Sequence, residues 1–232
     1  MESHKPLRQI RNPIGIRPDH ITPRSTTIHV NQDSFLLWEA TDFTVTTAPS
    51  PINTTTQPGP PPTKLFEIRA DFLSLTQRRH VRDGSGLPLF EISRPMMTDQ
   101  WHFHLPGEKE RKLKDKKKKE EWAEPSATKP IAKAIPRERL SPGLKFDVRF
   151  LNAAAGEFGE EEEEEKLTLR VENVWRAKAR VFHRDRLVME IEALDVPALY
   201  VPGRRATWEA RVVEGMDLSL VRTSYVRLLR DG

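Results

Sequence analysis

The sequence predicts a mainly-β fold that ends in one helix, and three observations predict it. Short runs of β-branched and aromatic residues recur along the chain at strand length. A strand–turn–strand unit is echoed three times. Apolar residues fall at helical spacing in one segment close to the C-terminus.

Strands are expected, in order, at Thr27 to Val30, Phe35 to Glu39, Phe43 to Thr46, Lys64 to Ala70, Phe72 to Leu75, Arg79 to Asp83 and Leu87 to Ser93. They continue at Trp101 to Leu105, Lys145 to Leu151, Leu167 to Glu172, Arg176 to His183, Leu187 to Ala193 and Thr207 to Val213. The echo pairs Phe43-Thr44-Val45 with Leu65-Phe66-Glu67-Ile68, and His80-Val81-Arg82 with Leu89-Phe90-Glu91-Ile92. A third copy pairs Ala179-Arg180-Val181-Phe182 with Leu187-Val188-Met189-Glu190-Ile191. The unit is a β-hairpin. In the last segment Leu218, Val221, Tyr225, Val226, Leu228 and Leu229 share helical spacing, Asp217 is placed to cap the start and Arg230 suits the end of the dipole.

Three stretches read as inserted loops, 46–63, 106–143 and 153–166, within one domain over 12–232, after a flexible N-terminus over 1–11. Thr46 to Thr63 contains six prolines, each of which removes a backbone donor. Because the cost of closing a loop grows only with the logarithm of its length, this stretch is better read as a long hairpin loop than as a domain boundary. Glu108 to Lys119 carries eight Lys or Arg against three acids, and Glu160 to Glu165 is unbroken glutamate. Neither stretch is able to bury itself.

Of the 232 residues, 37% are apolar and 31% charged, with a net charge of +4. That net charge is too small for an argument about the whole molecule, so the distribution of charge decides. The absence of cysteine excludes disulfide scaffolds, thiolate nucleophiles and cysteine-built zinc sites. No apolar run approaches the roughly 20 residues that span a bilayer, and no secretory signal is evident. An intracellular, cytoplasmic protein is expected, with nuclear or peripheral membrane locations as variants.

Little points to chemistry. Gly84-Ser85-Gly86 precedes a strand, and a phosphate-cradling loop needs a helix there, so it reads as a hairpin turn. His102 and His104 share one face of a strand, but no further ligands stand at supporting spacing, so no metal is expected. There is no nucleophile-elbow motif and no Ser/His/acid grouping, so neither enzyme activity nor a cofactor is expected.

The order Asn12-Pro13-Ile14-Gly15-Ile16-Arg17-Pro18, Phe72-Leu73-Ser74-Leu75, Arg78-Arg79-His80-Val81 and Asp83-Gly84-Ser85-Gly86-Leu87-Pro88-Leu89-Phe90 carries a family resemblance. It continues through Trp101, Trp175-Arg176-Ala177-Lys178-Ala179, Tyr200, Trp208 and Val212-Val213-Glu214-Gly215-Met216-Asp217-Leu218. The chain resembles the fungal branch of the LURP-one-related family, which shares its fold with the tubby C-terminal domain. The resemblance implies a closed antiparallel barrel of about twelve strands around a C-terminal core helix. Such a helix should be apolar on every side. Arg222 and Arg227 depart from that pattern, and Arg222 is expected to pair with an interior acid or to snorkel to a barrel mouth.

The basic residues are the strongest chemical signal. Lys112, Lys114, Lys116, Lys117, Lys118 and Lys119 lie in the charged insertion, while Arg78, Arg79 and Arg82 lie on a core hairpin. Clustered Lys and Arg hold phosphates, and the resemblance to tubby suggests an anionic membrane surface or a phosphoinositide as partner. The expected function is therefore a non-enzymatic binding or scaffold module. The alternative is a nucleic-acid or nuclear role through 108–119, which shares the same basic signature.

Overall fold

A computed structural model of the chain describes residues 7, 10, 12–33, 42–48, 61–71, 74–107, 130–137, 145–157, 163–173, 178–199, 201 and 204–221. The strands are β1 (Thr26–Gln32), β2 (Phe43–Thr47), β3 (Lys64–Ala70), β4 (Arg79–Asp83), β5 (Pro88–Ser93) and β6 (Trp101–His104). They continue with β7 (Ala132–Pro136), β8 (Lys145–Leu151), β9 (Glu164–Asn173), β10 (Lys178–His183), β11 (Arg186–Ala193) and β12 (Thr207–Val212). Neighbours in sequence pair antiparallel, and β12 pairs with β1, so the sheet is a closed 12-strand barrel. Closure leaves no unpaired edge to template aggregation.

Period-two alternation fills the interior. Ile28 and Val30, Phe43 and Val45, Phe66 and Ile68, Phe90 and Ile92, and Trp208 and Ala210 point inward and belong to one apolar cluster. Trp208 packs edge-on against Phe43 with ring centroids 6.3 Å apart, and Phe90 against Phe103 at 5.9 Å. Such pairs add about 0.5–1.5 kcal/mol to their burial.

The echoed hairpins are β2–β3, β4–β5 and β10–β11. Each carries a register shift directly after a buried valine, between Val45 and Thr46, Val81 and Arg82, and Val181 and Phe182. In each case the valine faces a large inward side chain, Phe66, Phe90 or Met189. A bulge strengthens local twist, so the repeat bends the sheet at three equivalent places around the barrel. The connection 48–63 joins the paired ends of β2 and β3, where the Thr47 N–H donates to the Thr63 carbonyl at 2.9 Å. It connects two antiparallel neighbours, as the echoed hairpin unit suggested.

Two expected loops contain regular structure. Strand β7 lies inside 106–143, and a short helix α1 (Ala153–Glu157) and the start of β9 lie inside 153–166. Ala132 and Ala134 point inward while Lys133 and Ile135 point outward, an alternation that the surrounding Pro, Lys and Glu obscure. In the strand expected at Phe72 to Leu75, residues 74–77 instead form a turn in which the Gln77 N–H donates to the Ser74 carbonyl at 3.0 Å. The strand expected at Phe35 to Glu39 lies outside the described residues.

After β12 the chain turns inward. Residues 218–221 are helical, and Leu220 and Val221 belong to the barrel's apolar cluster. Asp217 caps this turn by accepting the Ser219 N–H on Oδ1 at 2.6 Å. Its Oδ2 accepts the N–H groups of Ile16 at 2.9 Å and Arg17 at 2.8 Å, which ties the N-terminal segment to the helix start. Asn152, just before α1, accepts the Gly15 N–H at 2.9 Å and reinforces this tie. Arg222 and Arg227 lie outside the described residues.

Candidate anion-binding surface

The basic residues on β4 do not form a single surface. Alternation along the strand turns Arg79 inward, where it is buried with its guanidinium 5.9 Å from the centre of the Phe43 ring. Arg78 and Arg82 lie outside. The Arg78 Nε is 4.0 Å from Glu91, and Arg82 is exposed opposite Glu67. Lys64 and Arg69 both donate to Glu67, and these bonds hold its carboxyl below the usual range. The charge of Glu67 is thus already matched, and Arg82 makes no ion pair among the described residues. Lys112, Lys114 and Lys116 to Lys119 lie outside the described residues; the connection that carries them leaves the barrel after β6 and returns before β7.

The register across β5 to β9 assembles a row that no sequence motif announced. Ser93 faces His102, His102 faces Lys133, Lys133 faces Arg149 and Arg149 faces Lys166. All of these cationic or titratable side chains alternate with inward residues such as Phe103, Ala134, Val148 and Leu167, and so stand on the outer wall. With strands about 4.8 Å apart, the row from His102 to Lys166 spans roughly 14 Å. Among the described residues, Lys133, Arg149 and Lys166 make no ion pair within 4.0 Å. Two acids share this face, Asp147 opposite Ile135 and Glu164 opposite Leu151. Asp147 is held by Arg137 Nε at 2.6 Å and by the Thr168 hydroxyl at 3.0 Å, and Glu164 is exposed at the rim.

A parallel row on the same barrel shows what matched charge looks like. Lys145 faces Arg170, Arg170 faces Arg180, Arg180 faces Glu190 and Glu190 faces Arg211. Glu190 is buried and accepts from Arg180 at 3.2 Å and from Arg211, while Arg180 also donates to Glu172 at 2.5 Å. Arg170 stacks 4.4 Å above the Phe182 ring and lies 3.8 Å from Asp185. Glu190 is interleaved among the bases here, and no acid stands in the first row.

Among the described residues, two surface clefts bear on the site. One, of about 830 Å³, lies between the N-terminal segment and the ends of β9 to β11, where Glu165 accepts from Arg184 at 2.7 Å and pairs with His183 at 2.9 Å. The other, of about 430 Å³, lies under Leu75, Met96 and Met97, where Arg94 donates to Asp99 at 2.7 Å. In the first, Arg184 and His183 share Glu165 while Arg186 makes no ion pair among the described residues; in the second, Arg94 is matched by Asp99. His102 and His104 share the outer face as expected, with rings 6.1 Å apart, and no third ligand completes a metal-sized group among the described residues. Among the described residues, no helix is long and apolar enough to cross a membrane.

A closed antiparallel barrel whose chain turns inward after the last strand defines the class: a β-barrel built around a C-terminal core segment. The LURP-one-related family model matches residues 26–226, and the chain belongs to this family. Its fold is also that of a crystallographically solved protein from Arabidopsis thaliana, with a TM-score of 0.52 and 14% identity, covering 94% of this chain and 97% of that one. No curated protein matches the sequence significantly.

Proposed function

We propose that this LURP-one-related barrel is a non-enzymatic binding module, acting inside the cell, whose ligand is an anionic phospholipid, phosphoinositides included. One observation carries the reading: apolar side chains fill the barrel interior, and cations without an ion pair among the described residues stand on its outer wall. A filled interior leaves recognition to the exterior, where each Lys or Arg near an anionic membrane contributes about 1 kcal/mol of attraction. The surface clefts add little to a catalytic reading, because in the larger one Glu165 is bound by both His183 and Arg184. Co-sedimentation of the full chain with vesicles tests the proposal. Pelleting with phosphoinositide-containing vesicles, weakened by salt, is the expected result; equal pelleting with neutral vesicles would end the lipid reading.

A further inference from the structure

Like charges directly opposite one another across a sheet are destabilising, so a row of them needs an explanation in function or in a counter-charge. The folded chain supplies no such counter-charge to Lys133, Arg149 or Lys166 among its described residues, although it supplies one to nearly every base of the neighbouring row. From the geometry we infer that the outer wall of β6 to β9 is the membrane-docking surface, with Lys133, Arg149 and Lys166 seated on lipid phosphates. The inference rests on the anionic-lipid reading and fixes where on the molecule it operates.

Spacing supports a phosphate ligand. Neighbouring strands set adjacent bases about 4.8 Å apart at the backbone, close enough for two side chains to converge on one phosphate. The companions of the row favour a membrane over a nucleic acid. Leu151, 43% exposed, stands two residues beyond Arg149 on the same face, and Ile135 stands two residues beyond Lys133. Cations flanked by one exposed leucine and one half-buried isoleucine match the charged and apolar layers of a bilayer surface. Sequence-tolerant nucleic-acid binding uses exposed aromatic platforms, and the outward positions of β6 to β9 contain no Phe, Tyr or Trp. Duplex recognition places a helix or a ribbon in a groove, and a closed barrel wall presents neither.

Vesicle binding of the full chain and two charge-reversal variants tests the assignment. The row variant is Lys133→Glu with Arg149→Glu and Lys166→Glu. The control is Arg24→Glu with Arg204→Glu and Arg205→Glu, three exposed arginines away from β6 to β9. Vesicles are phosphatidylcholine alone or with a phosphoinositide, and thermal melts establish that each variant folds. The expected result is a loss of roughly a hundred-fold or more in partitioning for the row variant, with the control within a few-fold of the parent. If the parent binds anionic vesicles and the row variant binds equally well, the wall is not the docking surface, while the lipid reading survives. If the parent shows no preference for anionic vesicles, both fall. If the row variant instead loses salt-sensitive binding to an oligonucleotide and keeps its vesicle binding, the row belongs to nucleic acid and the lipid assignment is overturned.

Discussion

The backbone N–H of Arg17 donates to the Asp217 carboxyl at 2.8 Å, joining residues 200 positions apart in sequence. The same side chain accepts from Ile16 and Ser219, so one buried carboxyl fastens the N-terminal segment to the start of the core helix. Asp217→Ala leaves these donors without their acceptor, at about 1–3 kcal/mol for each one that water does not reach. A loss of about 3 kcal/mol or more is expected in urea unfolding.

Titration of Asp217 gives a second expectation. Burial pushes its carboxyl above the usual range, and the bonds from Ser219 and the Arg17 backbone oppose that rise without cancelling it. A carboxyl whose folded value is raised contributes stability that is complete below its unfolded value, about 3.9, and is lost as pH climbs through the folded value. The stability advantage of the parent over Asp217→Asn should therefore shrink between pH 4 and pH 7. An advantage that grows over that interval would show that the N–H donors outweigh burial.

Two glycines are fixed by close approach. A Cβ on Gly15 would stand 2.5 Å from Asp217 Cβ, and a Cβ on Gly84 would stand 2.3 Å from the Lys64 carbonyl oxygen. Neither neighbour is the free end of a flexible side chain. Gly15→Ala and Gly84→Ala should each cost about 1–3 kcal/mol by overpacking, read as a lowered melting temperature.

Removing Glu190 strips Arg211 of its counter-charge and leaves Arg180 with Glu172 alone. The cost of breaking a buried pair is about 3–5 kcal/mol, discounted here because Arg211 is 41% exposed and reaches water. Glu190→Gln should destabilise by about 1–3 kcal/mol. Adding Arg211→Gln should recover part of that loss in a double-mutant cycle.

The unmatched row predicts the opposite sign. Arg149 lies between Lys133 and Lys166, so Arg149→Gln removes two repulsive contacts and should raise stability by up to about 1 kcal/mol at low salt. The gain should fade at high salt, where exposed charges are screened. Melting curves at two ionic strengths check it.

Much of this architecture was legible in the sequence, because inward Val, Ile and Phe at period two write a strand directly. The helix start was legible for a similar reason: Asp217 precedes an apolar helical period and does cap it. Strand β7 was hidden, since alanine is a weak strand former and Ala132-Lys133-Ala134 sits among prolines and charges. Pairing with β6 and β8 makes it a strand, and that context is non-local. The cationic row was hidden for the same reason. Its members lie far apart in sequence and meet only through register, whereas Arg78, Arg79 and Arg82 look like a cluster from which the pleat turns Arg79 inward.

The wall from β6 to β9 is tested most directly by its distance from lipid. The chain contains no cysteine, so Leu151→Cys and Val201→Cys each accept a single fluorophore, at exposed positions on the proposed wall and at the opposite end of the barrel. With vesicles containing phosphoinositide and brominated acyl chains, the account predicts strong quenching at position 151 and none at 201. Quenching at 201 with position 151 unaffected would contradict it.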